Sequence, residues 1–251
     1  MKRLNSTVLR YDSLPSTNSE VARLALEGAE EGLCVVADEQ TAGRGRLGRE
    51  WVSPPGAGLY LSILLKPSVE IKNWPLLTLM AAVAVHDSLR DACGLETDIK
   101  WPNDIVAGGR KLCGILAESV DVDKGRAVIL GIGINLAAAA FPADLRSTAI
   151  SLEEATNKAC EAETILEVLL GSISHYYDIF HTRAGSRQII DTWCKYSSYA
   201  QGKHIRVSLR GEVLEGTTRG LEADGALRVE TVEGAIETVR AGDVTAVRPY
   251  P

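Results

Sequence analysis

From Gln40 to Trp51 the chain reads Gln40-Thr41-Ala42-Gly43-Arg44-Gly45-Arg46-Leu47-Gly48-Arg49-Glu50-Trp51, with Arg44, Arg46 and Arg49 set among three glycines. Glycine lets backbone N–H groups approach an anion, and a guanidinium is a forked donor that stays charged. The chemistry this suits is the holding of a carboxylate or a phosphate. Gly43, Gly45 and Gly48 also fit G-x-G-x-x-G, but that fingerprint requires a helix next. The sequel Trp51-Val52-Ser53-Pro54-Pro55-Gly56 cannot provide one. No G-x-x-x-x-G-K-[ST] segment occurs either, so a flexible anion-binding loop is the reading that remains.

Two more clusters carry polar chemistry. Lys100-Trp101-Pro102-Asn103-Asp104 precedes Arg110-Lys111-Leu112-Cys113-Gly114-Ile115-Leu116, and alternation along a strand could aim Lys111 into a cleft. Gly131-Ile132-Gly133-Ile134-Asn135 is a strand with two glycines, which suggests close approach by a ligand or another backbone. The four histidines, His86, His175, His181 and His204, lack metal-ligand spacing, so no metal site built from protein side chains is expected.

The elements that must position these residues are legible in part. Val8–Tyr11 reads as a strand, and Thr17-Asn18-Ser19-Glu20 as a capping box with Thr17 at the N-cap. Leu33–Ala37 and Leu59–Leu65 are strand candidates. Pro75 opens an apolar helix that Gly94 ends. Gly108-Gly109 and the turn at residues 123–125 predict two hairpins. Residues 164–180 and 187–196 read as helices. Beyond Gly202, short alternating strands separated by Arg210-Gly211, Asp224-Gly225 and Glu233-Gly234 suggest a small barrel. The expectation is an α+β fold: a mixed β-sheet domain flanked by helices over residues 1–200, and a small β-barrel over 201–251.

Composition limits the function classes. The 251 residues carry 33 acidic and 27 basic side chains, a formal net charge of −6, which argues against a general nucleic-acid binder. The longest apolar stretch, Leu76 to Val85, is too short to span a bilayer. The polar opening does not read as a secretory signal, and five cysteines without a C-x-x-C pair read as reduced thiols, so a cytoplasmic setting is expected.

Taken together, Ser16-Thr17-Asn18, the Gly43–Gly48 run, Lys100–Asp104, Arg110–Leu116 and Gly131–Asn135 resemble the biotin protein ligases in order and spacing, over nearly the whole chain. The resemblance is to the form without an N-terminal helix-turn-helix domain, and it implies an SH3-like type for the terminal barrel. It also implies two steps: biotin and Mg2+–ATP give biotinyl-5′-AMP, and a lysine of a carboxylase's biotin carboxyl carrier protein then takes the biotinyl group. Biotin is a substrate, with ATP and Mg2+ the cofactors; no DNA or membrane partner is expected, and a homodimer by sheet extension stays open.

By the same resemblance, Ser16, Thr17, Asn18 and Gln40 bind biotin's ureido end, and Gly43, Arg44, Gly45 and Arg46 form the loop over biotin and the adenylate phosphate. Lys111 bridges the biotin carboxylate and the α-phosphate, and Gly114 lets the ligand lie close. Trp51 stacks on adenine; Asn103, Asn135 and Arg248 lie on the ATP side; Asp104 orients the incoming carrier lysine. Lys111, Arg46 and Asp104 are the catalytic set. Leu47 departs from the arginine often found there. A lipoate ligase or acyltransferase of related fold, and a non-catalytic biotin sensor, are the alternatives.

Overall fold

The computed structural model describes residues 4–123, 125–137, 142, 145–209 and 211–246. Arg248 lies outside these, as do Lys124 and Arg210 of two predicted turns. Seven strands, β1 (Thr7–Leu14), β2 (Leu33–Gln40), β3 (Gly58–Leu65), β4 (Asp98–Lys100), β5 (Asp104–Ala107), β6 (Arg110–Val122) and β7 (Gly125–Asn135), form one mixed sheet. Their order is β1-β2-β3-β7-β6-β5-β4; β1 and β2 are parallel and every other pair is antiparallel. The parallel pair is joined through helix α1 (Thr17–Leu26), as a parallel connection requires. The expected α+β class, with a mixed sheet and flanking helices, is what the chain adopts.

Period-2 alternation gives the sheet two different faces. One face of β3 and β7, with Leu61, Ile63, Leu65, Val128, Leu130, Ile132 and Ile134, packs into the main core with α2 (Leu76–Cys93), α4 (Ala162–Phe180) and α5 (Gly185–Tyr196). Helix α2 is apolar nearly all round and correspondingly buried, and Gly94 ends it at φ +67°. On the opposite face α1 sets Val21 and Ala25 on Val35, Leu64, Ala127 and Ile129. That helix covers only half of its face. Beyond it the strands present Gly131, Gly133 and Gly114, with Ser62 buried beneath Thr17 and Asn18, and this glycine patch becomes the floor of a cleft.

Three local readings change. Helix α1 begins one residue earlier than the capping box implies: Ser16 is the N-cap, Thr17 is already helical, and no side chain caps the end. Thr17 Oγ1 instead donates to Gln40, and Glu20 pairs with Arg23 and accepts from Tyr11. Strand β4 and the short helix α3 (Leu152–Thr156) are further elements; Ser151 caps α3 by accepting from Glu154 N, as the S-x-x-E spacing of a capping box places it. The tail forms an antiparallel sheet of β8 (Gln201–Leu209), β9 (Glu212–Leu221), β10 (Leu227–Glu230), β11 (Ile236–Val239) and β12 (Asp243–Ala246), in the order β11-β10-β9-β8-β12. No ladder joins β11 to β12 among the described residues, so the expected barrel is seen as an open sheet. The indole of Trp101 ties that sheet to the first by donating to Gly225 O at 3.0 Å.

His86 lies in α2 at 3% exposure, its ring stacked on Tyr196 and its Nδ1 2.9 Å from Thr97 Oγ1. Burial pulls it below the usual histidine value, against an opposing pull from Asp87 and Glu96. A group held neutral in this way contributes stability that is present above the unfolded pKa near 6.5 and is lost as pH falls below it. His86→Gln should therefore flatten the loss of stability between pH 7 and 5. Urea midpoints of both proteins across that range check this, and equal slopes would remove His86 from the account.

Candidate active site

The cleft lies where the N-terminus of α1 meets the glycine floor, and the glycines explain why it holds together. A Cβ on Gly131 would come within 2.2 Å of Asn18 Oδ1, and one on Gly133 within 2.5 Å of Trp51 Nε1. On Gly114 it would lie 2.8 Å from the Trp51 ring and 3.2 Å from Lys111 Nζ. The close approach expected at these glycines is thus made first by the protein's own side chains. Gly114 seats Trp51 and Lys111, rather than only leaving space for a ligand. Trp51 Nε1, buried, has no hydrogen-bond partner among the described residues.

At the α1 end, polar groups form a closed network. Gln40 Oε1 accepts from Thr17 N at 2.9 Å and from Thr17 Oγ1 at 3.1 Å, while Gln40 Nε2 donates to Ser53 Oγ at 2.9 Å. The Ser62 hydroxyl lies 2.7 Å from Thr17 Oγ1 and 2.5 Å from Asn18 Oδ1. Ser16, Thr17 and Asn18 are each 4% exposed. Buried polar groups hold their places when so satisfied, and the set is fixed before any ligand arrives.

Lys111 reaches the same face through an irregularity. On β5 and β6, Ile105 pairs with Cys113 but Val106 pairs with Lys111, so Leu112 is an extra residue. Strict alternation would put Lys111 on the Cys113 side, in the apolar core. The bulge turns it to the Gly114 side, while Leu112 and Cys113 are both buried. The displaced backbone is satisfied elsewhere: Lys111 N donates to Thr148 O, and Lys111 O accepts from Ile150 N and from Asn135 Nδ2. Asn135 Nδ2 also reaches Ile150 O, so this amide braces the lysine's backbone while its residue lines the cleft. Lys111 Nζ stands 2.7 Å from Asp104 Oδ1 and 5.2 Å from the centre of the Trp51 ring.

The arginine segment is a tight hairpin rather than a slack loop. Trp51 N donates to Gly43 O, Gly45 N to Arg49 O, and Arg44 bridges Glu50. A turn at Arg46–Gly48 forms its tip, with Leu47 in the left-handed region at φ +57° and its side chain exposed. Each arginine is tied to a different element. Arg44 pairs with Glu118 on β6 through two bonds of 3.0 and 2.8 Å. Arg46 donates to Asn103 Oδ1 at 3.0 Å, and Arg49 pairs with Asp243 of the terminal sheet. Burial lowers the Arg46 pKa from its usual value, yet a guanidinium remains charged there.

The cleft has two chambers. One is lined by Ser16, Thr17, Asn18, Gln40, Arg44, Gly45 and Arg46; the other, also open to solvent, by Lys100, Asn135 and Thr148. Arg49, Glu50, Trp51, Asp104 and Lys111 line both, and so form the junction. Asn103 sits in the first chamber, with its Nδ2 donating to Ile115 O, away from the second. Ser53, Ser62, Glu118 and Asp243 join the site without having been singled out in the sequence. Lys100, whose pKa burial lowers, adds a cation to the second chamber. Among the described residues no cluster of three or more His, Cys, Asp or Glu is placed to hold a metal.

The sequence pattern of the Biotin/lipoate A/B protein ligase family matches residues 11–135, and that of the Biotin protein ligase C terminal domain matches residues 201–245. The chain is 38% identical over 244 residues to the bifunctional ligase/repressor BirA of Bacillus subtilis, covering 94% of this chain and 73% of that protein. The chain belongs to the biotin protein ligase family. It is also 34% identical to a biotin–[acetyl-CoA-carboxylase] ligase of Mycobacterium tuberculosis, over 93% of this chain and 86% of that one. Among solved structures, the biotin protein ligase from Aquifex aeolicus in complex with biotin and ATP superposes with a TM-score of 0.83 at 29% identity, covering 96% of this chain and 98% of that chain. The family thus brings a two-substrate chemistry to a cleft that has two chambers.

The glycine floor yields a direct test. Gly133→Ala should keep the fold but dislodge the Trp51 indole, shifting the intrinsic fluorescence and weakening ligand binding. An unaltered emission spectrum in a variant that does fold would show that Trp51 does not rest on Gly133.

Proposed function

We propose that this chain is a biotin–[biotin carboxyl carrier protein] ligase, activating biotin with ATP to biotinyl-5′-AMP and passing the biotinyl group to a carrier lysine. The observation that carries the reading is the position of Lys111 at the junction of the two chambers, within one cleft that also holds Arg46, Arg49 and Lys100. The match of residues 201–245 to a biotin ligase C-terminal domain favours biotin over lipoate, which the broader family also accommodates.

The first step must join two anions, the biotin carboxylate and the α-phosphate. Like charges ~4 Å apart repel by about 4 kcal/mol at an effective dielectric of ~20. An ammonium reaching both removes that repulsion and stabilises the charge that grows on the phosphorus centre. In this reading Lys111 exchanges Asp104 for the two anions, and Arg46, fixed by Asn103, holds the phosphate from the loop side. Carboxylate oxygen attacks phosphorus, and pyrophosphate leaves. Asp104, released from Lys111, is then placed to orient the carrier lysine, whose amine attacks the acyl carbon and expels AMP.

The network of Ser16, Thr17, Asn18 and Gln40 supports binding of the ureido end in the first chamber. Gly43, Arg44 and Gly45 close over it, and Trp51, between the chambers, offers its ring to adenine. Asn135 lines the nucleotide side; Asn103 serves it indirectly, through Arg46. Mg2+ is proposed as the companion of the ATP phosphates. The division at residue 200 is supported by the start of β8 at Gln201, and an SH3-like barrel by the register shifts in β8–β9 and β9–β10 that bend those strands. Edge strands β1 and β4 carry the unpaired backbone groups that sheet extension between two copies would use. The net charge of −6 argues against duplex DNA as a partner. No helix among the described residues is long and apolar enough to cross a membrane, and the unpaired cysteines support a reducing, cytoplasmic setting.

Lys111→Ala should lower pyrophosphate release from ATP with biotin by about two to three orders of magnitude. An undiminished rate would take Lys111 out of the chemistry. Release with lipoate but not with biotin would overturn the substrate assignment.

A further inference from the structure

Glu118 stands on β6, on the same face as Gly114 and Leu116, seven residues along the strand from Lys111 and bonded to Asn18 and Arg44, which line the first chamber. Its carboxylate has three bonds into the site. Oε1 accepts from Arg44 Nη1 at 3.0 Å, Oε2 accepts from Arg44 Nη2 at 2.8 Å, and Oε2 also accepts from Asn18 Nδ2 at 2.7 Å. The first two form the forked arrangement in which a guanidinium and a carboxylate are best matched. The third settles an ambiguity. An asparagine amide has a donor end and an acceptor end, and a carboxylate, which only accepts, dictates which end faces it. With Nδ2 turned to Glu118, Asn18 Oδ1 is turned to Ser62, over Gly131.

We propose that Glu118 is a positioning residue for biotin: one carboxylate fixes the amide orientation of the buried Asn18 and anchors the Arg44 arm of the hairpin over the same chamber. This rests on the ligase reading above and deepens it. An isolated ion pair this exposed, with Glu118 at 32% and Arg44 at 47%, contributes little. Here the carboxylate is shared with Asn18, which is 4% exposed, so loop and floor become one unit. Among the described residues Glu118 makes no hydrogen bond or ion pair with Lys111 or Arg46, and its influence falls on how long biotin and its adenylate stay bound rather than on how fast the adenylate forms.

The test uses the full chain, with pyrophosphate release at varied biotin and release of free biotinyl-5′-AMP from the preformed complex. Glu118→Gln keeps the shape but removes the charge and lets the facing amide turn. It should raise the KM for biotin about tenfold, with kcat within about twofold, and speed loss of the adenylate. Glu118→Asp, which retains the acceptor, should recover part of the affinity. Adding Glu118→Gln to Arg44→Ala should cost much less than the product of the separate effects, because the two residues act together. An unchanged KM with only a lower Tm would show a purely structural role and overturn the proposal. Fully multiplicative effects with Arg44→Ala would overturn it as well. A wild-type chain that releases no pyrophosphate with biotin would instead sink the ligase reading beneath it.

Discussion

Ser62, Gly131, Gly133 and Gly114 lie side by side on three neighbouring strands and give the sheet a patch of backbone where side chains would otherwise stand. Asn18, Trp51 and Lys111 each occupy space that a single methyl group would fill. The patch exists because the opposite face of the same strands is heavily apolar: Leu130, Ile132 and Ile134 anchor β7 in the core, so the two glycines between them weaken the strand less than they would alone. Helix α1 completes the arrangement by stopping short, leaving its N-terminal residues at the boundary between the covered half and the glycine patch.

Charge is arranged with the same economy. The hairpin carries three arginines that would repel one another if left untied, and each finds a partner on a different structural element: β6, the turn between β4 and β5, and the terminal sheet. The hairpin thus bridges the parts of the molecule that surround the cleft. Cations gather where the chambers meet and, with Lys100, in the second chamber, while Glu118 lies beside the first. An acid-tailed, neutral-headed molecule entering such a field has a preferred direction.

Sequence alone reveals those features whose signal is local. The alternation Gly131-Ile132-Gly133-Ile134 declares which face is core, Gly108-Gly109 declares a hairpin, and Gly94 a helix end. Contacts between distant segments leave no such mark: Ser62 with Asn18, Glu118 with Arg44, and Asp243 with Arg49 are separated by 44, 74 and 194 residues. The capping box misleads because Thr17 and Glu20 have competing partners in Gln40, Arg23 and Tyr11, and tertiary bonds displace the local one. Lys111 can be picked out by its neighbourhood but not aimed, since strict alternation points it the wrong way. Asn135 is found for its place beside the cleft, whereas its amide turns out to brace the backbone of Lys111.

The extra residue Leu112 has an implication for anyone who would tidy this fold. Ironing out the bulge by pairing Leu112 with Val106 would give β5 and β6 an unbroken ladder. That regular register, with every residue kept, would set Lys111 two places from Cys113, rotate the ammonium into hydrocarbon and leave the chambers without the group between them. Regularity and reactivity are opposed at this one position, so methods that reward ideal strands would steadily erase the enzyme while improving the protein.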